Sequence, residues 1–126
     1  IKNTNKITIE NLQNKNIKKA EIILLKTKNS NIKPDAKFKK EFTYLTKEAA
    51  QFLIKKKIKA IGIDYLGIEN HQPSHETHKI LLKNNIPIIE GLRLKKTKEK
   101  TYTLQCLPLN LINLEAAPAR AILIEK

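Results

Sequence analysis

A mixed α/β fold in a single domain is the class this sequence predicts, and three observations predict it. Apolar runs of strand length recur at residues 20–25, 60–64 and 86–90. Two helical patterns fall between them, the first opening at Thr46 and the second near His75. The order strand, helix, strand, helix, strand suits parallel pairing with helical crossovers. With 126 residues, 40% apolar and 29% charged, the chain can bury a real core and lies outside the disordered class.

The elements follow in chain order. Lys6-Ile7-Thr8-Ile9-Glu10-Asn11-Leu12 reads as a short strand leading into a helical turn. Residues 20–25, carrying Ile22, Ile23 and Leu24, form a continuous apolar run and hence a buried strand. From Lys26 to Glu41 the chain is polar, with Asn29-Ser30-Asn31 and Pro34-Asp35 as turn signals. That stretch is long for a connection, and long loops are often functional. Thr46 is an N-cap and Glu48 lies in the first turn; Ala49, Ala50, Phe52, Leu53 and Ile54 supply the apolar face, and Lys55-Lys56-Lys57 suit the negative end of the dipole. The run Ala60-Ile61-Gly62-Ile63-Asp64 is a second buried strand. A polar loop from Glu69 to Ser74 leads to the second helix, over about residues 75–83. Asn84-Asn85 ends it, and Ile86-Pro87-Ile88-Ile89-Glu90 is the third strand. Strands at residues 102–107 and 119–124 close the chain, with Pro108 and Pro118 at their ends. Burial is expected at Ile22, Leu24, Ile61, Ile63, Ile88 and Leu123.

Composition bounds the function. No apolar run approaches the roughly 20 residues a membrane span requires, and the first residues are polar, unlike a secretory leader. The single cysteine, Cys106, has no internal partner and suits a reducing compartment, so a cytoplasmic location is expected. It reads as a buried strand residue flanked by Leu104 and Leu107 rather than as a nucleophile. The chain begins at Ile1 and contains no Met, which predicts that an upstream segment is missing. The net charge of +13 admits a nucleic-acid or anionic-surface partner. Yet Lys, Asn and Ile are over-used throughout, the basic residues lack aromatic interleaving, and no recognition motif is present, so compositional drift accounts for it.

Chemistry concentrates between Asp64 and Glu90. If the strands at 60–64 and 86–90 are parallel, with the helix as crossover, both strands end at the sheet's carboxyl edge and the helix begins there. His78, near the helix start, and Glu90, at the strand end, then converge where open α/β sheets place ligands. Imidazole and carboxylate are suitable donors for a divalent cation such as zinc. By spacing alone the pair is weak, since either residue also suits a solvated surface. His71, His75 and His78 compete, being four and three apart as on one helical face; Pro73 and Ser74 oppose a helix reaching back to His71, so His71 and His75 read as exposed loop residues. Asp64 suits a supporting role at the site or a capping role, and Arg120 a pairing with a carboxylate. Phe38 and Phe42, in the long loop, are candidates for a pocket wall.

The runs Gly62-Ile63-Asp64-Tyr65-Leu66, Thr77-His78-Lys79-Ile80-Leu81-Leu82 and Ile86-Pro87-Ile88-Ile89-Glu90-Gly91-Leu92 resemble the cyclase family, which includes bacterial kynurenine formamidase. Ile23-Leu24-Leu25-Lys26-Thr27, the helix entry Tyr44-Leu45-Thr46-Lys47-Glu48-Ala49-Ala50, Leu107-Pro108-Leu109 and Ala117-Pro118-Ala119-Arg120-Ala121 match in the same order. The resemblance implies a mixed-sheet swivelling β/β/α domain, of which residues 1–126 form the C-terminal portion. It also implies hydrolysis of an amide bond at a divalent metal, zinc or manganese, with His78 and Glu90 as ligands. The implied substrate is N-formylkynurenine, giving kynurenine and formate, or a related amide or cyclic imide; a homo-oligomer is implied as well. The family's first half carries a motif of the form His-x-Gly-Thr-His-x-Asp-x-Pro-x-His that supplies most of the ligands, and nothing here matches it. Gly67 stands where many members have Ser. The expectation is therefore the C-terminal half of such a hydrolase, inactive by itself. The rival is a non-catalytic remnant or a basic binding module.

The charge has a direct check. If drift accounts for it, duplex DNA binds weakly, without sequence preference, and is released by about 0.2 M salt. Tight binding of one sequence at that salt, measured by fluorescence anisotropy, would assign a nucleic-acid role instead.

Overall fold

The computed structural model describes residues 1, 4–33 and 35–125. The turn expected at Pro34 lies outside the described residues. Two compact units are present, residues 1–96 and residues 97–126.

In the first unit, a short strand β1 (Lys6–Ile7) runs into a one-turn helix α1 (Ile9–Leu12), and β2 (Ile22–Leu25) follows. Residues Lys28–Asn31 form a 3₁₀ turn, and β3 (Tyr44–Leu45) precedes helix α2 (Lys47–Lys55). Strand β4 (Ala60–Ile63), helix α3 (Glu76–Lys83) and strand β5 (Ile88–Ile89) complete the unit. β1 pairs with β3, and a second sheet has the order β2-β4-β5, with every pairing parallel. The crossover reading of 60–90 holds: β4 and β5 are parallel neighbours with α3 between them in sequence. The class is mixed α/β, with parallel pairing in this unit and antiparallel pairing in the other.

Helix α2 starts where the cap predicts, since Thr46 Oγ1 accepts the Ala49 N–H at 3.2 Å. Its Ala49, Ala50 and Leu53 are buried against Ile7, Leu45, Ile61, Ile63 and Leu81 in one core. All four residues of β4 are buried, as expected of a central strand with a neighbour on each side. Gly62 belongs there: a Cβ would come within 2.6 Å of Leu92 Cδ1 and 2.8 Å of Leu24 Cδ2. β2 differs from expectation. Ile22, Ile23 and Leu24 are half-buried, because β2 is an edge strand with β4 as its one partner. Ile88 is half-buried on the opposite edge. Tyr44-Leu45, read as helix entry, is instead the strand that pairs with β1.

The long polar stretch after β2 is anchored by a carboxylate. Asp64, buried at the end of β4, accepts the Thr27 N–H at 2.7 Å, the Thr27 hydroxyl at 2.8 Å, the Ser30 N–H at 3.1 Å and the Ser30 hydroxyl at 2.5 Å. Asn29 extends the anchoring, donating to the Thr43 carbonyl at 2.8 Å and accepting the Thr43 N–H at 2.9 Å. Of the two roles open to Asp64, this geometry is the loop-capping one.

In the second unit, β6 (Thr103–Pro108) and β7 (Ala119–Ile124) form an antiparallel ribbon with Cys106 opposite Ala121. Cys106 is half-buried and free, and Leu123 is half-buried as well. Arg120 is exposed and makes no ion pair among the described residues. Among the described residues no helix is long and apolar enough to cross a membrane.

Asp64→Ala strips the acceptor from donors that are themselves buried or half-buried. Leaving such groups unpaired costs about 1–3 kcal/mol, so the variant should unfold at lower urea concentration, with an unchanged slope. Stability equal to wild type in that titration would show that the Thr27–Ser30 anchoring is not energetically important.

Candidate metal centre

Helix α3 has an unusual beginning. Its N-cap residue, His75, adopts a left-handed conformation at φ 47° and ψ 41°, and no side chain of its own caps the helix. The cap comes from outside, from Glu69. One oxygen of that carboxylate, Oε2, accepts the Thr77 N–H at 2.7 Å and the His78 N–H at 3.4 Å. An anion at a helix N-terminus is favoured both by the free N–H groups and by the dipole. The other oxygen, Oε1, meets His75 Nδ1 at 2.9 Å and His78 Nδ1 at 2.7 Å. The Glu69 side chain is only 3% exposed, so these partners replace almost all of its water.

His78 is held from both sides. Its Nδ1 faces Glu69, and its Nε2 lies 3.1 Å from Glu90 Oε1. Glu90 follows β5 directly, and the same Oε1 accepts the Ile68 N–H at 2.7 Å. The turn that places Glu90 depends on Gly91, whose φ of +72° lies in the left-handed region. From there the Gly91 N–H reaches the Tyr65 carbonyl at 2.7 Å and the Leu92 N–H reaches the Ile63 carbonyl at 3.1 Å. Gly67 carries no such demand, since the nearest atoms to a Cβ there would be 3.6 Å away.

An imidazole between two carboxylates favours its protonated form. The hydrogen bond to Glu90 does most to lift the His78 pKa; burial opposes it, the contact with Glu69 adds to it, and the result is about 9. For Glu69, burial works to raise the pKa, but the hydrogen bonds from His78, the Thr77 amide and His75 outweigh it and hold the carboxyl below its usual range. Without a cation, then, a proton on His78 offsets part of the charge of the two carboxylates.

That observation tests the fit of a divalent ion. Imidazole nitrogen and carboxylate oxygen are the donors zinc takes, and a divalent cation here would offset both carboxylate charges, of which the proton offsets one. Ligand atoms of Glu69, His75 and His78 all lie within 4.8 Å of one another. The residues fit.

The two residues predicted from the sequence, His78 and Glu90, are thus brought into contact. His71 stands apart, exposed, its ring 6.3 Å from that of Phe38. His75 is exposed, as expected of a loop residue, yet it touches the cluster through Glu69. Glu69 escaped sequence reasoning, because six and nine residues of separation from the two histidines match no helical or strand period.

Comparison with known proteins places these features in a family. A family described as "Putative cyclase" matches residues 2–70. Cyclase-like protein 1 of Arabidopsis thaliana is 38% identical over 109 residues, covering 82% of this chain and 42% of that protein. Kynurenine formamidase of Bacillus cytotoxicus is 30% identical over 118 residues, covering 93% of this chain and 56% of that one. A solved structure described as a potential metal-dependent hydrolase with cyclase activity superposes with a TM-score of 0.87 at 41% identity, covering 94% of this chain and 58% of its own. The chain spans about half the length of the curated relatives it matches.

The raised pKa has a pH signature in the metal-free chain. Folding favours the His78 imidazolium, so its stabilisation is whole below about 6.5 and is lost as pH rises through about 9. A proton NMR titration should find one imidazole titrating near 9, absent in His78→Ala. A His78 midpoint near 6.5 would contradict the two-carboxylate arrangement.

Proposed function

The chain belongs to the cyclase family, and on that premise we propose that it forms the carboxyl-terminal portion of a metal-dependent hydrolase of amide bonds, with His78 and Glu90 as ligands of a divalent cation. One observation carries the reading: at the carboxyl edge of β4 and β5, His78 Nε2 and Glu90 Oε1 face each other at 3.1 Å while Glu69 holds the far side of the imidazole. A bound cation supplies Lewis-acid activation of water and of the amide carbonyl. The chain's own residues have separate tasks. With a cation bound, Glu69 Oε1 would keep a proton on His78 Nδ1 and so leave the Nε2 lone pair for the ion on the side where Glu90 lies, as carboxylates behind ligating histidines do. The Ile68 N–H fixes one oxygen of Glu90.

The preferred metal is zinc, with manganese as the alternative. The reading extends to N-formylkynurenine or a related amide or cyclic imide as substrate, supported by the relative named kynurenine formamidase. Two ligands fall short of the three or four zinc takes, so the remainder are assigned to a segment outside residues 1–126. Residues 1–126 alone are then inactive. Self-association belongs to the same reading, supported by exposed Leu107, Leu109, Leu111, Ile112 and Leu114.

A second ligand set has its own support. Glu69, His75 and His78 give three donors within 4.8 Å, the number a catalytic zinc uses. His75 separates the two sets, because it belongs to the second alone.

The test uses the protein with its complementing segment, metal content being read by atomic emission and turnover with an aryl formamide. His78→Ala and Glu90→Ala should each remove metal or most activity, while His71→Ala and His75→Ala do little. Normal metal content and turnover in both His78→Ala and Glu90→Ala would end the proposal. Loss of metal in His75→Ala with retention in Glu90→Ala would move the ion to the second set.

A further inference from the structure

A cleft of about 260 Å³ lies in the first unit, apart from the imidazoles. It has three walls: the 3₁₀ turn with the loop that follows it, the Tyr65–Leu66 step, and the segment from Gly91 to Lys95. Each wall is tied to the end of β4. Asp64 holds Thr27 and Ser30. The Tyr65 hydroxyl accepts the Lys39 N–H at 2.8 Å and donates to the Lys39 carbonyl at 2.9 Å. The Tyr65 carbonyl accepts the Gly91 N–H at 2.7 Å. Preformed concavity of this kind, at the carboxyl edge of a parallel sheet, is where small ligands bind.

The lining has a definite chemistry. Lys33, Lys37, Arg93 and Lys95 border the cleft, and the one acid among its lining residues is Asp64. That carboxylate is already occupied by Thr27 and Ser30, so it offers the four cations no open charge. None of the four has an ion pair among the described residues. The walls between them are apolar and aromatic. Phe38 is 50% exposed at the cleft while its ring packs on Tyr65 at 5.7 Å and on Phe42 at 6.0 Å. A large apolar ring left half in water, yet fixed by two aromatic neighbours, is a stacking platform. Cations without partners beside such a platform call for an anion carried on a flat apolar body. Arg93 adds a fork that matches a carboxylate in two hydrogen bonds.

We infer that the cleft bounded by Phe38 and Arg93 is a binding site for a small aromatic carboxylate. The site is assembled from residues 29–33, 36–38, 64–66, 91–93 and 95, and contains none of the imidazoles. It therefore stands independently of the metal reading. The net charge of +13 spread over the chain would attract anions everywhere, but diffuse attraction does not distinguish a flat aromatic anion from acetate, and a cleft does.

The experiment titrates the 126-residue chain, in EDTA, with benzoate, benzamide and acetate, following backbone amides by NMR. Benzoate should saturate, with shifts concentrated in residues 29–38 and 91–95. Benzamide, of the same shape without charge, and acetate, of the same charge without the ring, should each bind about tenfold more weakly. Arg93→Gln should weaken benzoate about tenfold, as should Phe38→Ala, whereas Lys55→Gln on α2 leaves it unchanged. Benzoate shifts scattered over the surface, equal affinity for acetate, or an equal loss in Lys55→Gln would reduce the effect to net charge and overturn the inference. So would an unchanged benzoate affinity in both Arg93→Gln and Phe38→Ala.

Discussion

The first unit depends on how a buried carboxylate at the end of β4 is satisfied. A charge removed from water is tolerated only when donors replace the water it loses. Asp64 meets that demand by drawing in the amide and hydroxyl of Thr27 and of Ser30. The demand is reciprocal: the polar stretch after β2 has few apolar side chains to bury, and Asp64 shares the work of holding it with the Asn29–Thr43 and Tyr65–Lys39 hydrogen bonds. Five residues later Glu69 repeats the arrangement with different partners, two helix amides and two imidazoles. The carboxyl edge of β4 is thus organised by carboxylates, one serving architecture and the other serving the candidate centre. The apolar core beneath, from Ile61 and Ile63 to Leu53 and Leu81, supplies the rigid floor on which both act.

Much of the fold was legible because local chemistry and tertiary role agree. Thr46 caps α2 and Ala49, Ala50 and Leu53 are buried, since a capped amphipathic helix needs nothing further to declare itself. The crossover through α3 brings His78 to Glu90, a convergence that followed from supposing β4 and β5 parallel, while their pairing as ligands came from the family resemblance. What was not legible depends on neighbours distant in sequence. Edge or centre decides whether an apolar strand is covered, so Ile22 and Ile61 look alike in sequence and differ in burial. Tyr44-Leu45 pairs as a strand because Lys6-Ile7 lies alongside, a contact no periodicity announces. Glu69 was invisible for the same reason. Its role is fixed by the left-handed turn at His75, which a sequence of polar residues does not foretell. Phe38 and Phe42, taken together from the sequence, do pack on each other but differ in exposure: Phe38 borders the cleft and Phe42 is buried.

The charge of the chain reads differently once the acids are located. Of the carboxylates at the carboxyl edge, Asp64 and Glu69 are buried and committed to donors, and Glu90 is engaged by His78 and the Ile68 amide. The acidic residues here act inward, while Lys33, Lys37, Arg93 and Lys95 face outward around the cleft. The large excess of basic residues, 25 Lys and Arg against 12 Asp and Glu, is thus sharpened locally at this edge. Such an imbalance favours the approach of anions before any specific contact forms.

Glu69 divides its two oxygens between different duties, Oε2 to the first amides of α3 and Oε1 to the imidazoles. Displacing Oε1 would also disturb the amides at the start of α3, while Glu90 would still hold His78 from its other side. The cap of α3 and the orientation of His78 therefore share one carboxylate, so a single substitution at Glu69 removes both supports at once.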